Sequence, residues 1–373
     1  MKHKLSITCS PRFFWHLIDR MLTWKSKNLG GGGVAIIRIG GIGDTLLTIP
    51  LLLGLKSTKN KITLICSDRN LCIDFILRKY ADEIIYYNNK RMKIDLKYRM
   101  NMLRSLRSKG YETVIQSGIS RQQGGADVIA WACSAKKTIG FYPRKWNRCE
   151  IELSNKWFSH LIDGKYGEMH EIQRMDIIAQ SLGCMASEFQ LPHSNQTENI
   201  FVVCVDTSSS VREWSIDNFI DLAIRLEKET KLIPVFVGEN ESKSKKLSSF
   251  SFPHKNLIGK TTFEELHDII SRSKFIITND SAPMHLGIYL NIPTVAIVSG
   301  GEYNSYINYP NKHANNYLPI TTKDRLCFNC GWNCIYKKND GNNFPCLSSI
   351  TVDDVFSCAV NFKPINELMD CKA

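Results

Sequence analysis

Residues 34–53 read Val-Ala-Ile-Ile-Arg-Ile-Gly-Gly-Ile-Gly-Asp-Thr-Leu-Leu-Thr-Ile-Pro-Leu-Leu-Leu, and Arg38 and Asp44 are the only charges among them. A run of β-branched residues, Val34–Ile39, predicts a buried strand. Gly40, Gly41 and Gly43 turn the chain, and Leu46, Leu47, Ile49, Leu51 and Leu52 predict an apolar helix. As plain structure, Asp44 is a helix cap worth about 1 kcal/mol. The glycines point further, because residues without a Cβ let a ligand approach the backbone. The stretch is not a dinucleotide fingerprint, since Gly41-Ile-Gly43 is followed by Asp-Thr-Leu, and it lacks the Gly-Lys-Ser/Thr ending of a P-loop. Asp44 is therefore a candidate base at the carboxyl edge of the first strand.

Outward from this turn the strand-helix alternation repeats. Strands are expected at Val34–Ile39, Lys61–Cys66, Glu83–Tyr87 and Glu112–Gln116, then at Ile200–Val205, Leu232–Val237, Lys274–Thr278 and Thr294–Val298. Helices are expected at Thr45–Lys56, Leu71–Tyr80, Lys93–Lys109, Asp217–Lys228, Phe263–Arg272 and Ala282–Leu290, with Leu96, Met100, Leu103 and Arg107 on one face of the third. Such alternation gives parallel sheets covered by helices on both faces, an α/β class. The polar segment 191–199 reads as a linker between a first Rossmann-like domain, 34–190, and a second, 200–373. Ligands of such folds bind beyond the carboxyl ends of the strands, here in the expected crevice between the domains.

Residues 1–33 form an amphipathic extension ending in the glycine hinge Gly30–Gly33. Phe14, Leu17, Ile18, Met21 and Leu22 share a face ringed by Arg12, Arg20, Lys25 and Lys27. This helix either docks on the body of the protein or lies on an anionic membrane. No run reaches the ~18 apolar residues of a spanning helix, and no small-residue cleavage site follows the N-terminal lysines. The expected location is cytoplasmic, free or peripheral on the inner face of the membrane.

The 373 residues carry 48 Lys and Arg against 36 Asp and Glu, a formal charge of +12. Two basic runs, Lys90–Lys109 and Lys136–Arg148, fall in the first half and suggest an anionic partner. Of the 13 cysteines, scattered ones such as Cys66, Cys133 and Cys204 read as reduced core thiols. Cys327, Cys330, Cys334 and Cys346 differ. Their C-x₂-C-x₃-C-x₁₁-C spacing within loop 327–346 could wrap a structural zinc or iron, or the loop could be held by packing with its thiols free.

Two further turns carry chemistry. In Thr278-Asn-Asp-Ser-Ala-Pro-Met-His285 a strand ends, Asp280 and Ser281 turn the chain, and Pro283 opens a helix whose amino end attracts phosphate. His285 lies one turn in and is read as a ligand contact rather than a packed core residue. In Thr207-Ser-Ser-Ser-Val-Arg212-Glu-Trp214 hydroxyls and a guanidinium precede another helix, where they can cap it or clamp a diphosphate.

Together, Arg38-Ile-Gly-Gly-Ile-Gly-Asp44 with Leu-Leu-Thr-Ile-Pro50, Thr207–Trp214, Gly259–Leu266 and Thr278–Leu286 resemble glycosyltransferase family 9, the ADP-heptose:lipopolysaccharide heptosyltransferases. The resemblance covers about Val34 to Cys358. It implies a GT-B fold of two Rossmann-like domains, with the acceptor on the first and the nucleotide-sugar on the second. It also implies inverting transfer with Asp44 as base. By the same likeness Arg212, in place of a family lysine, with Thr207 and Ser208, would meet the donor phosphates. Asp280, Ser281, Ala282 and His285 would hold sugar and diphosphate, and Glu239 would lie near the nucleoside. The partners so implied are a nucleotide-sugar, ADP-heptose first, and an anionic glycan or glycolipid acceptor, with contact at the inner membrane surface and no nucleic acid. No Asp-x-Asp pair of the kind that carries a divalent ion to a departing diphosphate occurs, so no metal cofactor is expected in transfer. The alternatives are a GT-B enzyme using another nucleotide-sugar or a protein acceptor, and a basic nucleic-acid-binding protein with a cysteine knuckle.

Overall fold

The structure is a computed structural model, and it describes residues 17–21, 32–142, 154–194, 196–209, 212–310, 315–336 and 344–370. The flanks of the N-terminal helix, Gly30 and Gly31 of the hinge, and the Arg144–Arg148 part of the second basic run lie outside the described residues. The chain divides into two compact units, Met1–Tyr166 with Arg174–Ser187, and Gly167–Gln173 with Glu188–Ala373.

In the first unit the described strands are β1 (Val34–Arg38), β2 (Ile62–Ser67), β3 (Glu83–Tyr87), β4 (Thr113–Gln116), β5 (Lys137–Phe141) and β6 (His160–Ile162). They form one parallel sheet in the order β3-β2-β1-β4-β5-β6. Its centre is dry: every residue of β1, β2 and β4 is buried. The second unit has β7 (Ile200–Cys204), β8 (Ile233–Val237), β9 (Lys255–Asn256), β10 (Ile276–Asn279), β11 (Thr294–Ile297) and β12 (Tyr317–Ile320). Its parallel order is β12-β11-β10-β7-β8-β9. Counted from its own first strand, that is the same order as in the first unit. Both sheets are doubly wound, with the order reversing between β1 and β4 and between β7 and β10. A ligand crevice opens where the chain leaves such a pair of strands in opposite directions.

Several expectations from sequence are corrected. The helix expected over Thr45–Lys56 is two, Ile42–Leu46 and Ile49–Lys56, because the Thr48 hydroxyl bonds back to the Asp44 carbonyl and Pro50 opens the second piece. Lys93–Lys109 is likewise divided into Asn89–Ile94 and Leu96–Lys109, since Asp95 leaves the helical region and caps the second with its side chain on the Tyr98 N–H. The buried face of that second helix is Arg99, Leu103 and Leu106, and Leu96 is 44% exposed. Arg99 explains the shift, because its guanidinium is buried in a bidentate pair with Asp19, at 2.6 and 2.5 Å. That pair fastens helix 17–21 to the body of the first unit, leaving Leu17 and Met21 outward. The basic run Lys90–Lys109 is thus not wholly a solvated face.

Candidate functional site

Asp44 and the second-unit candidates other than Glu239 stand where their sheet reverses order; Glu239 follows β8. In the first unit the chain leaves β1 at Arg38, turns at Gly40, and starts a helix whose N-cap is Gly41. Asp44 is therefore not the cap expected from sequence; it sits three residues in and reaches back. Its Oδ2 accepts the Gly41 N–H at 3.0 Å, and its Oδ1 accepts from Arg38 Nη2 at 2.9 Å. A Cβ on Gly40 would fall 2.3 Å from the Asp44 Cβ, so only glycine fits beneath the carboxylate. The Arg38 side chain is 3% exposed and also donates to the Ser117 carbonyl beyond β4, at 3.0 Å. A buried cation braced across the β1–β4 switch point thus aims a carboxylate whose side chain keeps 30% of its surface in solvent. Such a group can accept a proton from a hydroxyl placed against it. Arg38 was missed as a site residue, although it is the only other charge in the opening stretch.

In the second unit β7 and β10 are neighbours, and their carboxyl ends collect the other candidates. Arg212 donates to Ser208 Oγ at 2.6 Å and pairs with Asp280 at 3.3 Å. Thr207 bends its own loop, accepting the Ser209 N–H at 3.0 Å. Asn279 ties the two strand ends together, its amide donating to the Val205 carbonyl at 3.2 Å and its Oδ1 accepting the Trp214 N–H at 2.8 Å. Ser281 is the N-cap of helix Ala282–Tyr289 and makes no side-chain cap bond there. Glu239, exposed after β8, joins the group through its backbone N–H, which donates to Asp206. Burial alone would raise the Asp206 carboxyl, but Lys243 and the N–H groups of Asn240 and Glu239 outweigh it and hold the group below the usual range. Lys243 also pairs with Glu213 at 2.6 Å, and this buried lysine, with Asp206, was not singled out from sequence.

His285 lies deeper, 5% exposed, and shares a 2.5 Å hydrogen bond with the Tyr309 hydroxyl. Burial, then the nearby His170 and Arg212, push its pKa down to about 3, so the imidazole is neutral. Its immediate partner is a core tyrosine, one turn behind the loop that holds Arg212 and Asp280.

The description "Glycosyltransferase family 9 (heptosyltransferase)" matches residues 99–300, more than half of the chain. The chain belongs to glycosyltransferase family 9. Lipooligosaccharide heptosyltransferase 2 of Campylobacter jejuni is 24% identical over 184 residues, which cover 44% of this chain and 56% of that relative. The match thus spans little more than half of the curated relative. Among solved structures, a family 9 glycosyltransferase from Veillonella parvula superposes with a TM-score of 0.67 at 20% identity, over 92% of this chain and 99% of that one. The ADP-heptose lps heptosyltransferase II of E. coli gives 0.64 at 15% identity, over 91% and 99%. The two doubly wound units are thus those of the GT-B fold.

This family 9 chain carries its cysteine-rich loop against the turns that follow β7 and β11. After β11, Gly300 and Gly301 pass directly under the loop, and their carbonyls accept N–H groups of Asn329 and Gly331, each at 2.7 Å. A Cβ on Gly301 would lie 2.7 Å from the Trp332 indole, so glycine is required there. Trp332 in turn lies 5.4 Å from the Arg212 guanidinium. Cys327, Cys330, Cys334 and Cys346 line one cavity of about 20 Å³ with Phe328 and Phe344. Burial, then the neighbouring thiols, raise the pKa of Cys327 and Cys346. Yet among the described residues no three such side chains are gathered closely enough to hold a metal ion. As arranged here the loop packs on the rings of Phe328, Trp332 and Phe344.

Cys66, Cys133 and Cys204 are buried free thiols, as expected of reduced core residues. Among the described residues no helix is long and apolar enough to cross a membrane.

Proposed function

We propose that the chain is an inverting glycosyltransferase that moves a sugar from a nucleotide-sugar, ADP-heptose first, to a hydroxyl of an anionic surface glycan or glycolipid of the lipopolysaccharide core type. The observation that carries this reading is the braced carboxylate of Asp44 at the β1–β4 switch point. Asp44 takes the proton of the acceptor hydroxyl, and the oxygen attacks the anomeric carbon. The bond from that carbon to the β-phosphate oxygen breaks, its electron pair stays with the diphosphate, and the configuration inverts. Arg212, the hydroxyls of Thr207 and Ser208, and the amino end of helix Ala282–Tyr289 receive the departing charge. Asp280 aims Arg212, with which it pairs. Because no Asp-x-Asp pair is present, these groups do the work without a divalent ion. ADP-heptose as donor is supported by the likeness to the E. coli ADP-heptose lps heptosyltransferase II.

The test is a thermal-shift screen of ADP-, UDP-, GDP- and CMP-sugars, followed by product analysis with the winning donor in the presence of EDTA. An upward shift restricted to ADP-sugars, and an EDTA-insensitive product of inverted configuration, are expected. A winner with another base would reassign the donor. A retained configuration, or activity restored only by added metal, would overturn the mechanism.

A further inference from the structure

Lys243 breaks two local rules at once. It is the third residue of helix Glu241–Leu247, where the helix dipole disfavours a cation, and its side chain is 8% exposed. An ammonium buried this deeply must be paired and hydrogen-bonded. Its partners come from outside its own helix. An ammonium has three N–H donors, and three acceptors from the segment that follows β7 meet them. The Val205 carbonyl accepts at 2.9 Å, Asp206 accepts through Oδ1, and Glu213 Oε1 lies at 2.6 Å. Folds that are otherwise locally consistent break such rules at functional sites.

The cluster joins two turns at the carboxyl edge of the second sheet. β7 and β8 are parallel neighbours, with Cys204 beside Val237, so the segments that leave them start about 4.8 Å apart. The first segment carries Arg212, and Glu213 follows it directly. The second is Gly238-Glu239-Asn240. Asp206 Oδ2 accepts the N–H groups of Glu239 and Asn240, the latter at 2.9 Å. A Cβ on Gly238 would fall 2.5 Å from that oxygen, so the bare backbone there lets the carboxylate reach the turn. Asp206 thus holds the β8 turn, Glu213 holds the backbone beside Arg212, and Lys243 joins the two carboxylates. Gathered on one nitrogen, these carboxylates would repel each other once the ammonium was removed.

Both turns present chemistry that suits a nucleotide. Arg212 is the cation for a diphosphate, and Glu239 is an exposed carboxylate one strand along, of the kind that accepts ribose hydroxyls. A ligand reaching from one to the other is held well when the spacing of the two turns is fixed. We propose that Lys243 is a positioning residue for the donor: it sets the spacing between the Arg212 and Glu239 turns, so that the diphosphate and the ribose of one nucleotide are gripped together. It acts through Glu213 and Asp206 and touches neither end of the ligand itself. The inference rests on the reading of the second unit as the donor side.

The full chain is titrated calorimetrically with ADP, UDP and GDP, and the nucleotide that binds tightest is carried through a cycle of Arg212→Ala, Glu239→Gln and the double variant. With Lys243 in place, losing either grip loosens the other, so the double variant should lose about tenfold less affinity than the product of the two single losses. In a Lys243→Gln background the two losses should multiply to within about twofold, as they do for independent sites. A merely structural lysine would lower the melting midpoint and leave the coupling in place. Should Lys243→Gln fail to fold, Lys243→Met with Glu213→Gln removes the opposing charge together with the ammonium and should show the same loss of coupling. Coupling that survives in the folded lysine variant would overturn the proposal and leave the donor reading standing, as would single losses that already multiply with Lys243 present. Single variants that bind as tightly as wild type, or a wild type that binds none of the three nucleotides, would overturn the donor reading and the proposal with it.

Discussion

Asp44 is held by two groups, the Arg38 guanidinium and the Gly41 N–H, and still shows nearly a third of its side chain to solvent. A carboxylate steadied on one side and open on the other suits a base that must meet a hydroxyl in one geometry. Arg38→Met removes the brace and should slow transfer roughly 10- to 100-fold in kcat with little change in donor affinity. Steady-state kinetics with both substrates varied would show it, and an unchanged kcat would remove Arg38 from the site. On the donor side, Arg212→Ala should cost on the order of 100-fold in kcat/KM, and Arg212→Lys should restore part of it, since charge returns without the fork. An alanine variant as active as wild type would exclude the guanidinium from the diphosphate. His285 sets a pH dependence of stability. As pH falls below about 6.5, the unfolded chain binds a proton at this position. The folded chain resists until about 3. Stability from this group is therefore complete above pH about 6.5 and is lost toward pH about 3, by up to about 1.4 kcal/mol per pH unit. His285→Gln should flatten the acid side of a melting-midpoint profile; superimposable profiles would mean that the imidazole is not buried neutral.

At the scale of elements, the turns were easier to read than the helices between them. Glycine, proline and aspartate announce a turn through local backbone rules, so the β1 turn and the β10 turn were legible, as were most central strands with their unbroken apolar runs. The breaks at Thr48 and Asp95 depend on one side chain choosing a backbone partner, which periodicity does not report. β5, β6, β9 and β12 are not expected from the sequence because they are short and partly polar or interrupted by proline; they are held by pairing to a neighbour, a non-local effect. The cysteine-rich loop was visible as a cluster, but its packing on Gly300–Gly301 and its reach to Arg212 through Trp332 come only from tertiary structure. Trp332→Ala should raise the donor KM about tenfold while leaving the melting midpoint within a degree or two, since a desolvated cation–π contact is worth about 2 kcal/mol at most. A variant with wild-type donor KM would show that the loop merely covers the turn.

For the whole molecule, two units with the same strand order each place their candidate residues beyond the strands where that order reverses. That the chain builds two doubly wound parallel sheets was legible from the repeated strand-helix alternation. The Arg38–Asp44 pair and the Asp206–Lys243–Glu213 cluster were not, because each joins side chains far apart in sequence or takes a partner no motif names. Hydrogen exchange with ADP should protect 205–212 and 279–285 in the second unit and leave 40–46 of the first unchanged; the reverse pattern would exchange the roles of the units. The most direct test of the transfer chemistry is the single-turnover rate of Asp44→Asn with a saturating donor, alongside its donor dissociation constant. Asparagine keeps an oxygen for only one of the two donors, the Gly41 N–H or the Arg38 guanidinium, and turns its NH₂ toward the other, so the fold should lose roughly 1–3 kcal/mol. The rate should fall between about 10² and 10⁴-fold with donor affinity intact. A loss below tenfold, or a loss explained by failed donor binding, would contradict Asp44 as the base.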